Sequence, residues 1–321
     1  MTTCDLGPRP HRRALGLLLR ACVLAAAALL TSCGGGTTPY NAFVALRLFT
    51  FGDEASTLNA DGSNYSVNGL GADGNISCSV LPIWTQTLAS NFGLVFAQCN
   101  PDFVVDPQAT SWAAPGAHVA DVAAQIDAQV AAGGFRDQDL TTVFVGTNDI
   151  LDLYAQYPLR SEADLTAEAT SLGLQAAQQV NRLVAFGAKV IVVNLPDLGL
   201  TPFAINENLF NSDTDRAALI SRLTAAFNQE LGVSIVLDGR YVGLVQLDQR
   251  SQVIARAAAA YSFTDVVDAV CTVALPGCTT STLVPGGSAT TYLWASDRWL
   301  SAGGQSQIAG LAIDRARGNP F

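Results

Sequence analysis

Lysine and histidine are nearly absent from these 321 residues, which contain one lysine, Lys189, and two histidines, His11 and His118. Lysine and arginine together number 17 against 27 aspartates and glutamates, for a formal net charge of −10. Such a chain has no basic stripe with which to neutralise phosphates, so nucleic acid is not an expected partner. Charge of either sign is scarce, at 14% against 49% hydrophobic residues, which excludes a disordered polyelectrolyte and leaves a globular protein with a sizeable core. No cysteine or histidine cluster has the spacing of a zinc site, and neither a metal nor a cofactor is expected. Gly-x-Ser-x-Gly, a Ser-x-x-Lys ending at the sole lysine, and a phosphate loop are all missing. Gly69-Leu70-Gly71-Ala72-Asp73-Gly74 fits Gly-x-Gly-x-x-Gly but precedes Asn75-Ile76-Ser77-Cys78 instead of an apolar helix, so it reads as a turn.

The first 32 residues read as a leader. Arg9, Arg12 and Arg13 form a charged start, the apolar stretch after Arg20 is too short to span a bilayer as a stable helix, and small residues follow it. Four arginines and only one acid, Asp5, lie in this segment, so the remainder is more acidic than the whole. Leu30-Thr31-Ser32-Cys33 resembles a bacterial lipobox, which implies removal of residues 1–32 and acylation of Cys33. Gly34-Gly35-Gly36-Thr37-Thr38-Pro39 then reads as part of a flexible tether over 33–42. The expected product is exported and lipid-anchored, and in a two-membrane cell the lack of an aspartate after Cys33 points to the outer membrane. Of seven cysteines, four remain once Cys4, Cys22 and Cys33 are set aside. An even number in an exported chain suggests disulfides. Three connectivities are possible, and the sequence-local one, Cys78 with Cys99 and Cys271 with Cys278, is favoured.

From Phe43 onward short apolar runs alternate with helical periodicities, the pattern of an α/β fold with a central parallel sheet covered on both faces. Leu46 to Phe51, Leu140 to Val145, Val190 to Leu195 and Val242 to Leu247 read as strands. Val119, Val122, Ile126 and Val130 share one helical face before Gly133-Gly134. Further helices are expected near 161–186, 213–231 and 249–260, and a closing one from Ala302. Residues 43–321 contain no linker and no internal repeat, and read as one domain. Functional groups in open α/β sheets gather at the carboxyl ends of strands. Gly52-Asp53-Glu54, Gly146-Thr147-Asn148-Asp149 and Pro196-Asp197 occupy three such ends, although each taken singly is also an ordinary capped turn.

In this order the motifs resemble the SGNH or GDSL hydrolase family, serine esterases and lipases on a three-layer, flavodoxin-like sheet. The resemblance runs through Phe51-Gly52-Asp53, Ala113-Ala114-Pro115-Gly116-Ala117, Val145-Gly146-Thr147-Asn148-Asp149, Asn194-Leu195-Pro196-Asp197 and Ser296-Asp297-Arg298-Trp299-Leu300. It implies that Gly116 and Asn148 are oxyanion donors and that Asp297 is the aspartate that orients a histidine base. It also implies a small acyl-ester or glycan-type ligand and a monomer. Glu54 stands where the family has its nucleophilic serine, and Leu300 where it has its histidine.

A hydroxyl activated by imidazole cannot be exchanged for a carboxylate and a leucine without changing the reaction. Two substitutes are available in the sequence. Ser56 could serve as nucleophile with His118, the only histidine after the leader, as base, although Ser56 also reads as a cap for the following helix and His118 as a solvated first-turn residue. Alternatively Asp53, Glu54 and Asp297 could form a carboxylate cluster of the kind that hydrolyses glycosides. The leading expectation is a non-catalytic or strongly altered family relative that binds its ligand in the old cleft. An active ester hydrolase and a carboxylate-based hydrolase are the rivals.

Overall fold

Four apolar runs become four of the five strands of a parallel sheet in the computed structural model, which describes residues 43–321. The leader, Cys33 and the tether lie outside the described residues. The strands are β1 (Arg47–Gly52), β2 (Ala109–Ser111), β3 (Asp139–Phe144), β4 (Lys189–Val193) and β5 (Val242–Val245). Their order is β2-β1-β3-β4-β5, every pair parallel, as in flavodoxin-like sheets. All six residues of β3 are buried, which requires cover on both faces of the sheet.

That cover comes from α1 (Trp84–Asn91), α2 (Val122–Ala131), α3 (Thr147–Tyr154), α4 (Glu162–Ala185), α5 (Pro202–Phe210), α6 (Arg216–Ser234), α7 (Leu247–Arg256) and α8 (Ala302–Gly318). α4 packs along α6, and α1 packs on α8. Local chemistry sets the helix starts. The Ser161 side chain accepts from Asp164 N at the head of α4, whose first turn carries Glu162 and Asp164 and whose last turn carries Arg182, each sign matching the helix dipole. Thr201 caps α5, and Pro202 occupies its first position, where no amide is needed.

The sequence expectation differs from the fold in several places. The helix expected over 249–260 starts at Leu247 and ends at Arg256, and a 3-10 turn, Ala258–Tyr261, follows before the left-handed Ser262. Val119, Val122 and Ile126 are buried as expected, whereas Val130 is exposed at the end of α2. Two further strands, β6 (Asp265–Ala269) and β7 (Tyr292–Trp294), form a separate parallel pair. Both sequence-local disulfides, Cys78–Cys99 and Cys271–Cys278, are present.

Two features fix the end of β1 against β3. At one end of the pair Arg47 and Asp139, partners in register, form a two-pronged ion pair at 2.6 and 2.8 Å with Asp139 almost wholly buried. At the other, Gly52 has φ +134 and a Cβ there would lie 1.8 Å from the Phe144 carbonyl oxygen, so only glycine permits this approach. The Gln125 amide bridges the same point, accepting from Gly52 N and donating to Gly52 O. The chain's single lysine, Lys189, opens β4, donates to the Arg240 carbonyl at 3.0 Å and lies over the Tyr241 ring.

Candidate functional site

Immediately beyond Gly52 the chain turns through a short 3-10 helix, Glu54–Ser56, whose cap is Asp53: its Oδ1 accepts from Ala55 N at 3.0 Å. This turn aims Glu54 across the strand ends. Its Oε1 accepts from Gly116 N at 2.7 Å, and its Oε2 accepts from Asn148 Nδ2 at 2.9 Å. Asn148 Nδ2 also donates to Ala117 O, and Gly116 holds a left-handed conformation at φ +73. One carboxylate therefore joins the loops that follow β1, β2 and β3, and it is bonded to both donors that the sequence resemblance assigns to an oxyanion.

Around it stand further charges. Asp53 is fully buried, and its Oδ2 has no hydrogen-bond partner among the described residues. Burial pushes its carboxyl well above the ordinary value, and the neighbouring Glu54 charge adds to the rise. Burial likewise raises Asp149, whose carboxylate accepts from Val119 N. His118 Nε2 lies 2.9 Å from Asp152 Oδ2 at the exposed rim, and that hydrogen bond raises the imidazole above its usual value. The Tyr65 phenol is pushed up by partial burial and then by Glu54, which puts it in the same field.

Asp297 is engaged by its neighbour. Arg298 donates from Nε to Oδ1 at 3.0 Å and from Nη2 to Oδ2 at 2.8 Å, a planar fork-on-fork pair. The guanidinium lies 5.2 Å from the centre of the Phe203 ring, and Phe203 N donates to the Asp297 carbonyl. Asp297 above all, and Glu54 and Asp152 beyond it, hold the Arg298 cation above the ordinary arginine value. Arg298 is thus paired with Asp297 and feels the field of the strand-end carboxylates.

Not every sequence candidate meets the others. Ser56 is fully buried and its hydroxyl has no partner among the described residues; Asp53, not Ser56, provides the cap. No hydrogen bond joins Ser56 to His118, whose ring turns to Asp152. Leu300 is buried, and its carbonyl accepts from Ser66 Oγ at 2.9 Å. Three residues escaped the sequence reading. Asp152 lies one helical turn after Asn148, a spacing that puts both on one face of α3 and could have been noticed. Arg298 adjoins Asp297 in the chain, but adjacency alone does not reveal an ion pair, and Tyr65 carried no signal. Among the described residues no group of three or more His, Cys, Asp or Glu side chains could hold a metal ion.

Comparison with solved structures gives distant likenesses. The lipase Lip_vut3 from a goat rumen metagenome is 12% identical over 86% of this chain and 100% of its own, with a TM-score of 0.49. A member of the lipolytic G-D-S-L family from Veillonella parvula is 10% identical over 84% of this chain and 96% of its own, at 0.42. An acetyl xylan esterase from Geobacillus stearothermophilus is 13% identical over 86% and 97%, at 0.41. No curated protein matches the chain. The family model for GDSL-like lipase/acylhydrolase matches residues 48–299, a span that opens within β1, takes in every strand of the central sheet and the loops carrying Glu54, Gly116, Asn148 and Asp297, and so the chain belongs to that family.

Proposed function

We propose that this chain is a family member that binds an ester-type ligand at its strand ends without the serine–histidine chemistry of its relatives. Glu54 takes the place of the nucleophilic serine and Leu300 that of the histidine base. The observation that carries this reading is the pair of bonds from Gly116 N and Asn148 Nδ2 to the Glu54 carboxylate. Donors that would stabilise a tetrahedral oxyanion are already holding a negative charge. An oxyanion about 4 Å from that carboxylate would be opposed by roughly 4 kcal/mol at an effective dielectric near 20. That is about a thousandfold in rate. Asp297, engaged with Arg298, has no imidazole to orient. In the same reading residues 1–32 are removed, Cys33 is acylated and the chain is held at the outer membrane.

Turnover of short-chain p-nitrophenyl esters by the folded domain that starts after Cys33, beside its Glu54→Ala and His118→Ala forms, tests this. The expected result is no hydrolysis above the buffer blank, with the same esters raising the unfolding temperature of the folded domain. Hydrolysis that disappears in either variant would overturn the reading and name a member of a working catalytic set. Aryl glycosides run in parallel address hydrolysis through Glu54, which would be lost in Glu54→Ala and kept in His118→Ala.

A further inference from the structure

At the opposite end of the sheet, where the strands begin, the chain holds apolar side chains in water. Phe103 is 87% exposed and Val105 99%, and Val104, Val44 and Leu46 are also exposed. Their loop is rigidly built. Asn100 accepts from Val104 N and donates to Val104 O, both at 2.8 Å, and Cys99, just before it, is tied to Cys78. Phe103 itself adopts a left-handed backbone at φ +53, rare for a bulky aromatic residue. A floppy loop would let Phe103 fold back onto the protein; this one holds it outward. A cavity of about 310 Å³ adjoins the loop, lined by Leu94, Val95 and Phe96 on one hand and by the polar Gln86, Thr87 and Ser90 on the other.

The patch lies near the start of the described chain. Val44 and Leu46 lie just before β1, and Val105 lies four residues before β2, its parallel neighbour, so both groups precede the start of the same strand pair. The domain begins next door at Phe43, whose ring packs edge-on against Phe92 and Phe321. Cys33 is ten residues earlier, a distance of at most about 35 Å even fully extended. We propose that Phe103, Val104 and Val105, with Val44 and Leu46, rest on the lipid surface to which Cys33 anchors the chain, an inference that depends on the acylated-anchor reading above. The flanking Asp102 and Asp106, and a net charge more negative than the −10 of the whole sequence once residues 1–32 are removed, select a zwitterionic surface over an anionic one. With the strand starts against lipid, the strand-end site around Glu54 faces the aqueous side, and its ligand arrives from water.

The test uses the full acylated chain, extracted and reconstituted in phosphatidylcholine vesicles with or without brominated acyl chains. Of the four native tryptophans, Trp84 and Trp294 are fully buried, Trp299 nearly so, and Trp112 is half-buried after the finish of β2, so the unsubstituted chain supplies the quenching baseline. Flotation on a density gradient reports the anchor, and tryptophan emission of Phe103→Trp and, separately, Val105→Trp reports the patch. The expected result is flotation of every form together with a loss of the added tryptophan's emission in brominated vesicles that the unsubstituted chain does not show. Chains that float while both added tryptophans stay unquenched overturn the lipid contact alone. Chains that fail to float overturn the anchor, and the lipid contact with it.

Discussion

Asp53 and Glu54 are adjacent acids in opposite circumstances: Asp53 is sealed from water with one oxygen unpartnered, and Glu54 spans two donors. Because the folded-state value of Asp53 lies above the ordinary 3.8, the folded chain holds a proton that the unfolded chain releases. Its contribution to stability is full below pH 3.8 and is lost as the pH rises through the folded value. Asp53→Asn keeps an oxygen for Ala55 N and cannot ionise. Urea unfolding at a series of pH values is expected to show the variant gaining on the wild type from about pH 4 upward; parallel curves would refute this account of Asp53. The rim imidazole runs on a similar sign. His118 is raised chiefly by its bond to Asp152, so that contribution is present below 6.5 and fades as the pH climbs through the raised value. In Asp152→Asn the His118 ring resonance, followed by NMR, is expected to titrate at lower pH than in the wild type. An unchanged midpoint would mean that the bond contributes nothing in solution.

At the scale of elements, β1 and β3 are joined at their start by Arg47 and Asp139 and at their finish by the close approach of Gly52 to Phe144. Removing one partner of a buried pair strands the other, so Asp139→Ala is expected to cost about 3–5 kcal/mol in chemical denaturation. Replacing Arg47 and Asp139 together by leucines should cost clearly less; equal losses would show that the ion pair is not what fails. Elements of this kind were legible in the sequence to the extent that their burial leaves a pattern of apolar residues. β1, β3 and β4 stood out because interior parallel strands are covered on both faces and read as apolar runs, and the edge strand β5 because its sequence, Val-Gly-Leu-Val, is apolar throughout. β2 did not, because a three-residue edge strand of sequence Ala-Thr-Ser has too few positions to show a pattern. α3 and α5, at eight and nine residues, are too short to complete a helical stripe, and the capping chemistry of Thr201-Pro202 was the only trace of α5. The strand-end candidates Glu54, Gly116 and Asn148 were found by position. That they bond to one another was not legible, because a hydrogen bond between loops 62 and 94 residues apart depends on rotamers that one sequence does not encode locally.

For the molecule as a whole, the two ends of the sheet divide the work. The finish of the strands carries the Glu54 site, and the start carries the exposed apolar loop beside the Arg47–Asp139 pair and Lys189. No helix among the described residues is long and apolar enough to cross a membrane. If Cys33 bears the attachment, Cys33→Ser is expected to move the chain from the membrane to the soluble fraction, since a few exposed apolar side chains give only weak, reversible binding. Retention in the membrane fraction would transfer the attachment to another part of the chain. Lys189 completes this polarity. As the only lysine side chain, set at the start of β4, it gives amine-directed coupling chemistry a single point of attack on the side chains. Its bond to the Arg240 carbonyl and its seat over Tyr241 hold that amine in one place. With the α-amino group blocked, a support that captures lysine amines would therefore present a uniformly oriented layer, every copy fixed by the start of its sheet and offering the Glu54 end to the solution.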